Sequence, residues 1–591
     1  MQTTKRVLAR RKFYEQIYRV TLAVLVGVCT GLGAVVFRKL ITICNEVFFQ
    51  QGGEVLSFLG QYYVVLLPMA GGLVVGPLTY FLARETRGPG VGEVIGAVAV
   101  RGGFIRPRVV PVKALASAIC IGSGGSAGRV GPIVHMGAAI GSVVGQVLKV
   151  PARKMKALVA CGAAGGIAAT FNAPIGGVLF ALEVILGDFK GSHLMMIIIS
   201  SVTAAVIGII FFGDNPAFTV PSYAMHHPAE LLFYALLGIA CGLFCVLYIK
   251  VFYKVEDIFN LCHRVPDYLK PALGGLLVGG IGLYFPQVYG VGFETIEQAI
   301  TGQMVLNITA ALIIVKLLAT SITIGSGSSG GVFAPGLFMG AMLGATVGHI
   351  FHLLFPGIAA APAAYALVGM GSVIAGSAHA PMTAIIMLFE MSNDYRIILP
   401  LMIACIASSV VASTLYPHNI YVVKLIRRGL DIEAARRPDV LKNVLVKDVM
   451  TAQIETIPTW FSLQQAWKQV QDSPHHGFPL VNEKGSVTGI ITRDELEQAM
   501  QLGNTRRPVN ELAVHRLITV TPYETISAAV KKMKEHNIGR LPVVDADNPQ
   551  RIIGLVTRTD IINAYTTGLL QEDELEEGLA GGHTESKTAA L

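Results

Sequence analysis

Residues 122–138 read GSGGSAGRVGPIVHMGA, and residues 325–341 read GSGSSGGVFAPGLFMGA. The similarity extends without a gap over residues 112–145 and 315–348, where 18 of 34 positions are identical. A repeat at one fixed offset indicates that the chain contains two copies of one structural unit.

The match continues on both sides of this stretch. The shared features include Lys113 with Lys316, Glu183 with Glu390, and GVGE at 90–93 with GVGFE at 290–294. Small residues can recur by chance in apolar helices, whereas charged residues at matched spacing indicate duplication. We place the two halves at about 60–190 and 270–395. Segments interrupted by glycine and proline at corresponding positions of two halves point to a binding site near the middle of a membrane.

The composition is that of a membrane protein. Of the 591 residues, 53% are hydrophobic and only 14% are charged, against about 25% charged in soluble domains. Apolar segments near the ~20 residues that a spanning helix needs follow one another along residues 20–430. We therefore predict an all-α polytopic membrane domain over this range, with two repeats whose parallel or inverted relation the similarity leaves open.

Basic residues flank the apolar region. They lie in the N-terminal segment 1–19 and again at 424–437, and basic flanks favour the cytoplasmic side. We expect a multi-pass inner (plasma) membrane protein with both termini cytoplasmic. The net charge of +8 then reflects topology, not nucleic-acid binding. The eight cysteines form no metal or disulfide pattern and are interpreted as packing residues.

Three glycine- and proline-rich breaks, at 88–93, 128–132 and 331–335, are predicted to be loops that enter helices. Irregular backbone at membrane depth is tolerated only where protein or water shelters it. The start of a helix offers free N–H groups and the positive end of the helix dipole. Several such starts directed at one point would bind an anion without a formal positive charge.

These breaks resemble the three motifs of the anion pathway in the CLC family of chloride channels and chloride/proton exchangers. The family's GSGIP corresponds to GPGVG at 88–92, its GREGP to GRVGP at 128–132, its GxFxP to GVFAP at 331–335, and its late tyrosine to Tyr421. The resemblance implies this anion-binding set: Gly88, Pro89, Gly90, Arg129, Val130, Gly131, Val332, Phe333, Ala334 and Tyr421. It also implies a homodimer in lipid, with one pore for small monovalent anions such as chloride in each subunit and two inverted repeats per subunit.

Two departures from the family pattern bear on mechanism. The central glutamate of the second family motif, which competes with the anion and carries the proton in exchangers, is replaced by Val130. The family's second proton-path glutamate falls at Val184. Because valine does not titrate, the proton step has no carrier at either position. We therefore expect a passive anion channel that is not coupled to protons and lacks the usual gate at Val130.

Other functions remain as alternatives. An anion/proton antiporter would need substitute acids, for which the nearby titratable residues are His135, Glu93, Glu183 and His379. A divalent-cation transporter is less favoured, because such a pore would need rings of Asp or Glu that the breaks lack. An enzyme is not indicated, since no nucleophile–base pair or metal-ligand cluster is recognisable. The chain needs no cofactor for conduction and has no predicted metal site.

A further departure from the family pattern, Pro89, predicts weaker discrimination for chloride, with nitrate passing well. Family members with a serine at the position of Pro89 prefer chloride, whereas proline resembles nitrate-preferring members; a proline has no N–H to donate. Lys113, Lys316 and Arg129 either raise the potential near the pore or pair with a carboxylate or with helix-end carbonyls.

The composition becomes polar after about residue 437. A second repeat, with ITR at 491–493 and VTR at 556–558, resembles a pair of CBS domains, cytoplasmic α/β regulatory modules that often bind adenine nucleotides. We assign a linker at 431–445, the first copy at 446–501, the second at 508–565 and a flexible tail at 566–591. The family's nucleotide signature falls on Thr557 and Asp560, and more weakly on Thr492, where Glu495 replaces the aspartate.

Overall fold

The chain forms a helical unit, Met1–Arg436, and a second unit of helices and short strands, Arg437–Leu591. The computed structural model describes residues 2–565, except 56, 190, 215, 216, 219, 221–226, 431–443, 504, 515 and 516. Most of the predicted linker and all of the predicted tail at 566–591 lie outside the described residues. The fold class, a helical membrane domain followed by an α/β pair of CBS domains, is confirmed.

The first unit is built from helices of very different lengths. They are α1 (Gln2–Asn45), α2 (Gly52–Val55), α3 (Tyr63–Pro77), α4 (Val91–Val100), α5 (Val109–Gly122), α6 (Val130–Val147), α7 (Ala152–Phe171), α8 (Pro174–Phe180), α9 (Gly191–Phe212), α10 (Glu230–Leu261), α11 (Lys270–Tyr284), α12 (Phe293–Ile300), α13 (Leu306–Gly325), α14 (Phe333–Leu354), α15 (Pro362–Ala378), α16 (Pro381–Ser392), α17 (Ile398–Leu415) and α18 (Val423–Arg427). A π-helical turn, Ala181–Leu186, extends α8. Proline in the first turn of α8 and α16 fits a helix start, where its missing N–H has no partner to lose.

Eight helical segments of the described chain are long and apolar enough to cross a membrane. The first of them belongs to α1, whose 44 residues give a length of about 66 Å at 1.5 Å per residue. This exceeds the ~30 Å hydrocarbon core, and the basic segment predicted at 1–19 is continuous with the helix. The described part of the unit also contains five shorter apolar helices of 10–17 residues.

The two repeats appear as two equivalent helix series, α5–α8 and α13–α16. In each series the second and third helices cross at glycine pairs: a Cβ at Gly137 would overlap the carbonyl oxygen of Gly162, and one at Gly340 would overlap that of Gly369. Glycine is required at these crossings because the two backbones are in contact, as is common between membrane helices.

The repeats meet in opposite directions at their equivalent glycines. Gly128 N donates to Gly331 O at 2.8 Å, and Gly331 N donates to Gly128 O at 2.7 Å, in an antiparallel bridge. Reciprocal bonds between equivalent residues on antiparallel segments correspond to a local two-fold relation. The repeats are therefore inverted at this junction.

The second unit contains two small sheets packed with helices. Its strands are β1 (Ile457–Pro458), β2 (Gly477–Val481), β3 (Val487–Thr492), β4 (Arg540–Val544) and β5 (Ile552–Thr557), and its helices are α19 (Leu463–Val470), α20 (Arg493–Gln501) and α21 (Ile526–His536). The strand order is β1-β2-β3 in one sheet and β4-β5 in the other. The hairpins β2–β3 and β4–β5 are antiparallel, and each has a register irregularity near its end. A separate apolar core lies under each sheet.

Candidate functional site

Three helices of the first unit begin at the three predicted breaks. Val91 begins α4, Val130 begins α6 and Phe333 begins α14. The prediction that these breaks are loops entering helices is confirmed. Before α4 the chain turns at Gly90 with φ +88°, a left-handed conformation that glycine adopts without steric cost.

The loops before these helices are in contact with one another. A Cβ at Gly131 would overlap the carbonyl oxygen of Pro89 and would lie 2.9 Å from the Cα of Gly331. Gly88 N donates to Ser328 O at 3.0 Å, which ties the first loop to the third. Each loop thus contacts the other two, and all three helix starts lie in one neighbourhood.

Aromatic side chains form another wall of this neighbourhood. The ring of Phe180 lies 6.4 Å from that of Phe333 and 6.5 Å from that of Tyr421, edge-on in both cases. A cavity of about 20 Å³ lies between the first loop and the tyrosine, lined by Pro89, Gly90 and Tyr421 among others. A space of ~10–15 Å³ suffices for a water molecule, so this cavity is of the size of one small ion.

The two valines lie at different places along the unit. Val130, the first residue of α6, is 0% exposed, and its neighbour Gly131 contacts both other loops. Val184, 3% exposed, lies in the π-helical turn after α8. Both positions are therefore buried, and neither side chain can carry a charge.

The two buried lysines hold the backbone of equivalent loops. Lys113 Nζ donates to Thr86 O at 3.0 Å and to Gly88 O at 2.8 Å. Lys316 Nζ donates to Val288 O at 2.9 Å and to the equivalent Gly290 O at 3.1 Å. Of the two interpretations offered by the sequence, pairing with carbonyl oxygens is the one observed.

These bonds correct the alignment of the two repeats upstream of the matched stretch. Since the lysines select Gly88 and Gly290, and since Gly90 and Gly292 precede the first residues of α4 and α12, GVGE at 90–93 does not align with GVGFE from residue 290. The structural correspondence is shifted by two residues. Contacts from distant helices set this register, and the short similarity of the two segments could not.

The four alternative acids have different surroundings. His135 is 1% exposed, and its Nδ1 has no hydrogen-bond partner among the described residues; a Cβ at Gly90 would lie 3.0 Å from it. Glu93 accepts from Arg428 at 2.6 Å. Glu183 accepts from the start of α16. His379 ends α15 in the left-handed conformation, φ +52°.

Arg129 is not brought to the point where the loops meet. Its guanidinium lies 5.1 Å from the ring centre of Phe171 and 4.7 Å from that of Phe293. It lines a separate cavity together with Arg38. The backbone of Arg129 precedes α6 as predicted, but its side chain points elsewhere.

A larger cavity opens beside Gly88, and most of the residues that line it could not be identified from the sequence. Its volume is about 470 Å³, and six basic and three acidic residues line it. The basic ones are Arg84, Arg87, Lys270, Lys424, Arg427 and Arg428, and the acidic ones are Glu256, Asp257 and Asp267. Lys424 and Arg87 also line the small cavity near Tyr421. The excess of positive charge favours anions near the first loop. In the sequence, the run ARETR at 83–87 was the feature that could have indicated this basic cavity.

In the second unit the predicted nucleotide residues cap helices. Asp560 accepts from Thr557 N at 2.8 Å and from its hydroxyl at 2.7 Å, and Glu495 accepts likewise from Thr492. A cavity of about 340 Å³ adjoins Thr557 and Asp560 and is also lined by Arg540, His475 and His476. Thr492 does not line this cavity.

A sequence profile described as "Voltage gated chloride channel" matches residues 71–413. The chain belongs to this family. The CLC region is followed by two matches to the CBS domain, at 446–501 and 509–567.

Relatives of this CLC chain include both channels and exchangers by name. It is 36% identical over 371 residues to a putative chloride channel protein ClcB-like of Ralstonia nicotianae, covering 62% of this chain and 86% of that protein. It is 33% identical over 438 residues to the H(+)/Cl(−) exchange transporter ClcA of Vibrio parahaemolyticus, covering 71% and 92%. A crystal structure of a slow cyanobacterial Cl−/H+ antiporter matches with TM-score 0.64 and 28% identity, covering 69% and 97%. Family membership therefore leaves the choice between conduction and exchange to the residues of the site.

Proposed function

We propose that this CLC protein is a passive anion channel for chloride and nitrate, and that its transport is not coupled to protons. The observation that carries the proposal is Val130, a buried apolar residue that begins α6 beside the other two helix starts. Family exchangers have a glutamate at this position. Because valine binds no proton and has no charge to compete with an anion, the obligatory proton step loses its carrier.

Val184, which lies at the family's second proton-path position, supports the same conclusion. It is 3% exposed and apolar. An ionisable residue inside a membrane is expensive and is kept where it functions. Two apolar residues at both exchanger positions favour conduction over exchange.

The anion would be held by backbone N–H groups. The first N–H groups of α4, α6 and α14 have no partners within their own helices. One helix terminus contributes about 0.3–2 kcal/mol to the binding of a negative charge, so convergence of several gives moderate affinity. Moderate affinity suits conduction, because the ion must leave as well as enter.

Reconstituted flux tests the proposal. Purified full-length protein in liposomes is given a chloride gradient, with and without an opposing pH gradient, and the reversal potential is measured. We expect reversal at the chloride equilibrium potential, unmoved by the pH gradient. A reversal potential that shifts with the pH gradient would contradict a passive channel.

A proton-coupled antiporter is the second candidate, favoured by the similarity to a protein named as an H(+)/Cl(−) exchange transporter. His135 is the substitute acid whose position fits it best, since it is buried next to Gly90 with Nδ1 unpartnered among the described residues. In this case His135→Gln would abolish proton movement while anion flux remained. Absence of proton movement in the wild-type protein would exclude this candidate.

We also propose that the second CBS copy binds an adenine nucleotide. Asp560 could accept from ribose hydroxyls, and Arg540 lines the same cavity, where its guanidinium suits phosphate. Calorimetric titration with AMP, ADP and ATP tests this. Asp560→Ala should remove binding, while Glu495→Ala, the matched change in the first copy, should retain it; equal binding by D560A and wild type would contradict the assignment.

By resemblance, the protein is proposed to be a homodimer in the inner (plasma) membrane, with both termini cytoplasmic and one pathway in each subunit. Exposed apolar residues lie along α17 at helical spacing, including Met402, Ile406 and Val410. They form a face that is suited to contact with lipid or with a second copy of the chain. The mass of the detergent-solubilised protein distinguishes a dimer from a monomer.

A further inference from the structure

A cavity of about 260 Å³ lies near the C-terminal end of α1, the end opposite the basic N-terminal segment. It is lined by Arg38, Arg129, Ala169, Thr170, Phe171, Asn172, Ala205, Gly208, Ile209, Phe212, Gly213, Ala217 and Phe293. The opposite end of α1 is marked by the ion pair between Glu15 and Lys154, 2.9 Å apart, near the start of α7. Because Arg129 immediately precedes Val130, this cavity adjoins the start of α6.

The guanidinium of Arg129 lines the cavity and lies against two aromatic rings. Its Cζ lies 5.1 Å from the centre of Phe171 and 4.7 Å from that of Phe293. Its Nε is buried and has no hydrogen-bond partner within the described chain. The two rings contact each other edge-on with their centres 6.4 Å apart, so they lie on adjacent sides of the guanidinium, whose N–H donors remain in the plane of the group.

A second guanidinium, that of Arg38, lines the same cavity and lies 4.1 Å from the centre of the Phe212 ring. No carboxylate is among the described lining residues, and neither arginine forms an ion pair with another described residue. Asp214, next to the lining residue Gly213, accepts from Asn172 Nδ2 at 2.8 Å. Two like charges at one partly dehydrated cavity are costly unless an anion joins them.

The repeat gives this cavity a counterpart. Gly88 of the first repeat borders the large basic cavity, and Phe293, which follows the equivalent loop of the second repeat, borders this one. Both equivalent loops are thus next to a cavity lined by arginines. Of the residues of the three motifs that define the anion pathway, the second of these cavities is lined by Arg129 alone.

We propose that Arg38 and Arg129 form a binding site for a planar monovalent oxyanion, of which nitrate is the smallest representative. The in-plane N–H donors of a guanidinium match two oxygens of such an anion, whereas a spherical halide can use only the charge. At ~30 Å³ for each water, 260 Å³ holds a small anion with several waters. The site adds a planar-anion preference beside the start of α6, and it rests on the proposed handling of anions but not on the absence of proton coupling.

Equilibrium titration of the full-length protein in detergent tests the site. Sodium nitrate and sodium chloride are titrated at fixed ionic strength, with isethionate as the balancing anion, into wild type, Arg38→Gln and Arg38→Lys. We expect R38Q to weaken one class of nitrate sites about tenfold, as loss of a charge-assisted bond implies. R38K keeps the charge but not the planar donors, so chloride binding should be retained and nitrate binding weakened.

Chemical protection tests whether nitrate binds at Arg38 itself. Phenylglyoxal modification of wild-type protein, followed by peptide mass analysis, should show that nitrate protects Arg38 more than chloride does, while Arg84 in the other cavity shows no such difference. Equal effects of both anions, or full rescue of nitrate binding by R38K, would show that a diffuse charge effect, and not a specific oxyanion site, accounts for the binding. Unchanged nitrate binding in R38Q would remove it. A protein that proved to be proton-coupled would leave these titrations unchanged, so the two proposals fail separately.

Discussion

Glu183 and Glu390 each accept hydrogen bonds from the start of a helix in the opposite repeat. Glu183 accepts from the backbone N–H of Thr383 at 2.7 Å and from its hydroxyl at 2.6 Å, in α16. Glu390 accepts from the N–H groups of Ile175 at 2.9 Å and Gly176 at 2.6 Å, in α8. A carboxylate there satisfies N–H groups that lack an intrahelical partner and complements the helix dipole. A reciprocal pair of caps therefore joins the repeats.

Removing either charge should loosen this junction. We expect Glu183→Gln and Glu390→Gln each to lower the free energy of unfolding by about 1–3 kcal/mol, because a neutral amide makes weaker bonds to the same donors. The temperature at which the monodisperse peak is lost on size exclusion measures the effect. The control is Glu54→Gln, an exposed glutamate. Two variants as heat-stable as that control would show that the caps contribute little.

Restoring a carboxylate at the start of α6 should create pH-dependent block. In Val130→Glu the charged side chain competes with the anion for free N–H groups, an interaction of up to about 2 kcal/mol, or about 30-fold in occupancy. Anion flux at neutral pH should fall strongly and recover as acid protonates the glutamate. Val130→Gln, of the same size but without a titrating group, should show no such recovery. Flux of V130E that is the same at all pH values would place residue 130 outside the pathway.

The helix starts could be predicted from the sequence because glycine and proline act locally: Pro132 and Pro335 lie in the first turns of α6 and α14. Duplication then indicated that these starts belong together. The direction of Arg129 could not be predicted, because the rings that hold it, Phe171 and Phe293, belong to other helices. The basic cavity beside Gly88 was missed for the same reason, since distant segments supply its lining.

Replacing Pro89 should change anion preference. Pro89 has no N–H, and its carbonyl oxygen contacts Gly131. In Pro89→Ser a hydroxyl becomes available to donate to the ion, and a hydrogen bond to a charged partner contributes about 1.5–3 kcal/mol. We expect chloride permeability relative to nitrate to rise about tenfold or more, measured as a shift in bi-ionic reversal potential.

The control for this change is Pro107→Ser, in the turn before α5, which should leave the ratio unchanged. Strong chloride preference in the wild-type protein would contradict the assignment of nitrate tolerance to Pro89.

Asp267 limits the positive charge of the large basic cavity, where it is one of three acidic lining residues. The hydrogen bond from Lys270 Nζ, 2.7 Å away, holds the pKa of this carboxyl below its usual value. Asp267 is therefore ionised at neutral pH and stays so below about pH 3.9, the ordinary pKa of aspartate. The stability it contributes is present above that ordinary pKa and is lost as pH falls through the lowered one.

Removing this carboxylate should increase anion entry. Asp267→Asn leaves Lys270 unbalanced, and a more positive cavity raises the local anion concentration. We expect higher anion conductance for D267N at about 10 mM salt, with the gain disappearing near 1 M, where the screening length falls to ~3 Å. Glu54→Gln, which does not line the cavity, should have no effect. A D267N conductance equal to wild type at low salt would show that anions do not enter through this cavity.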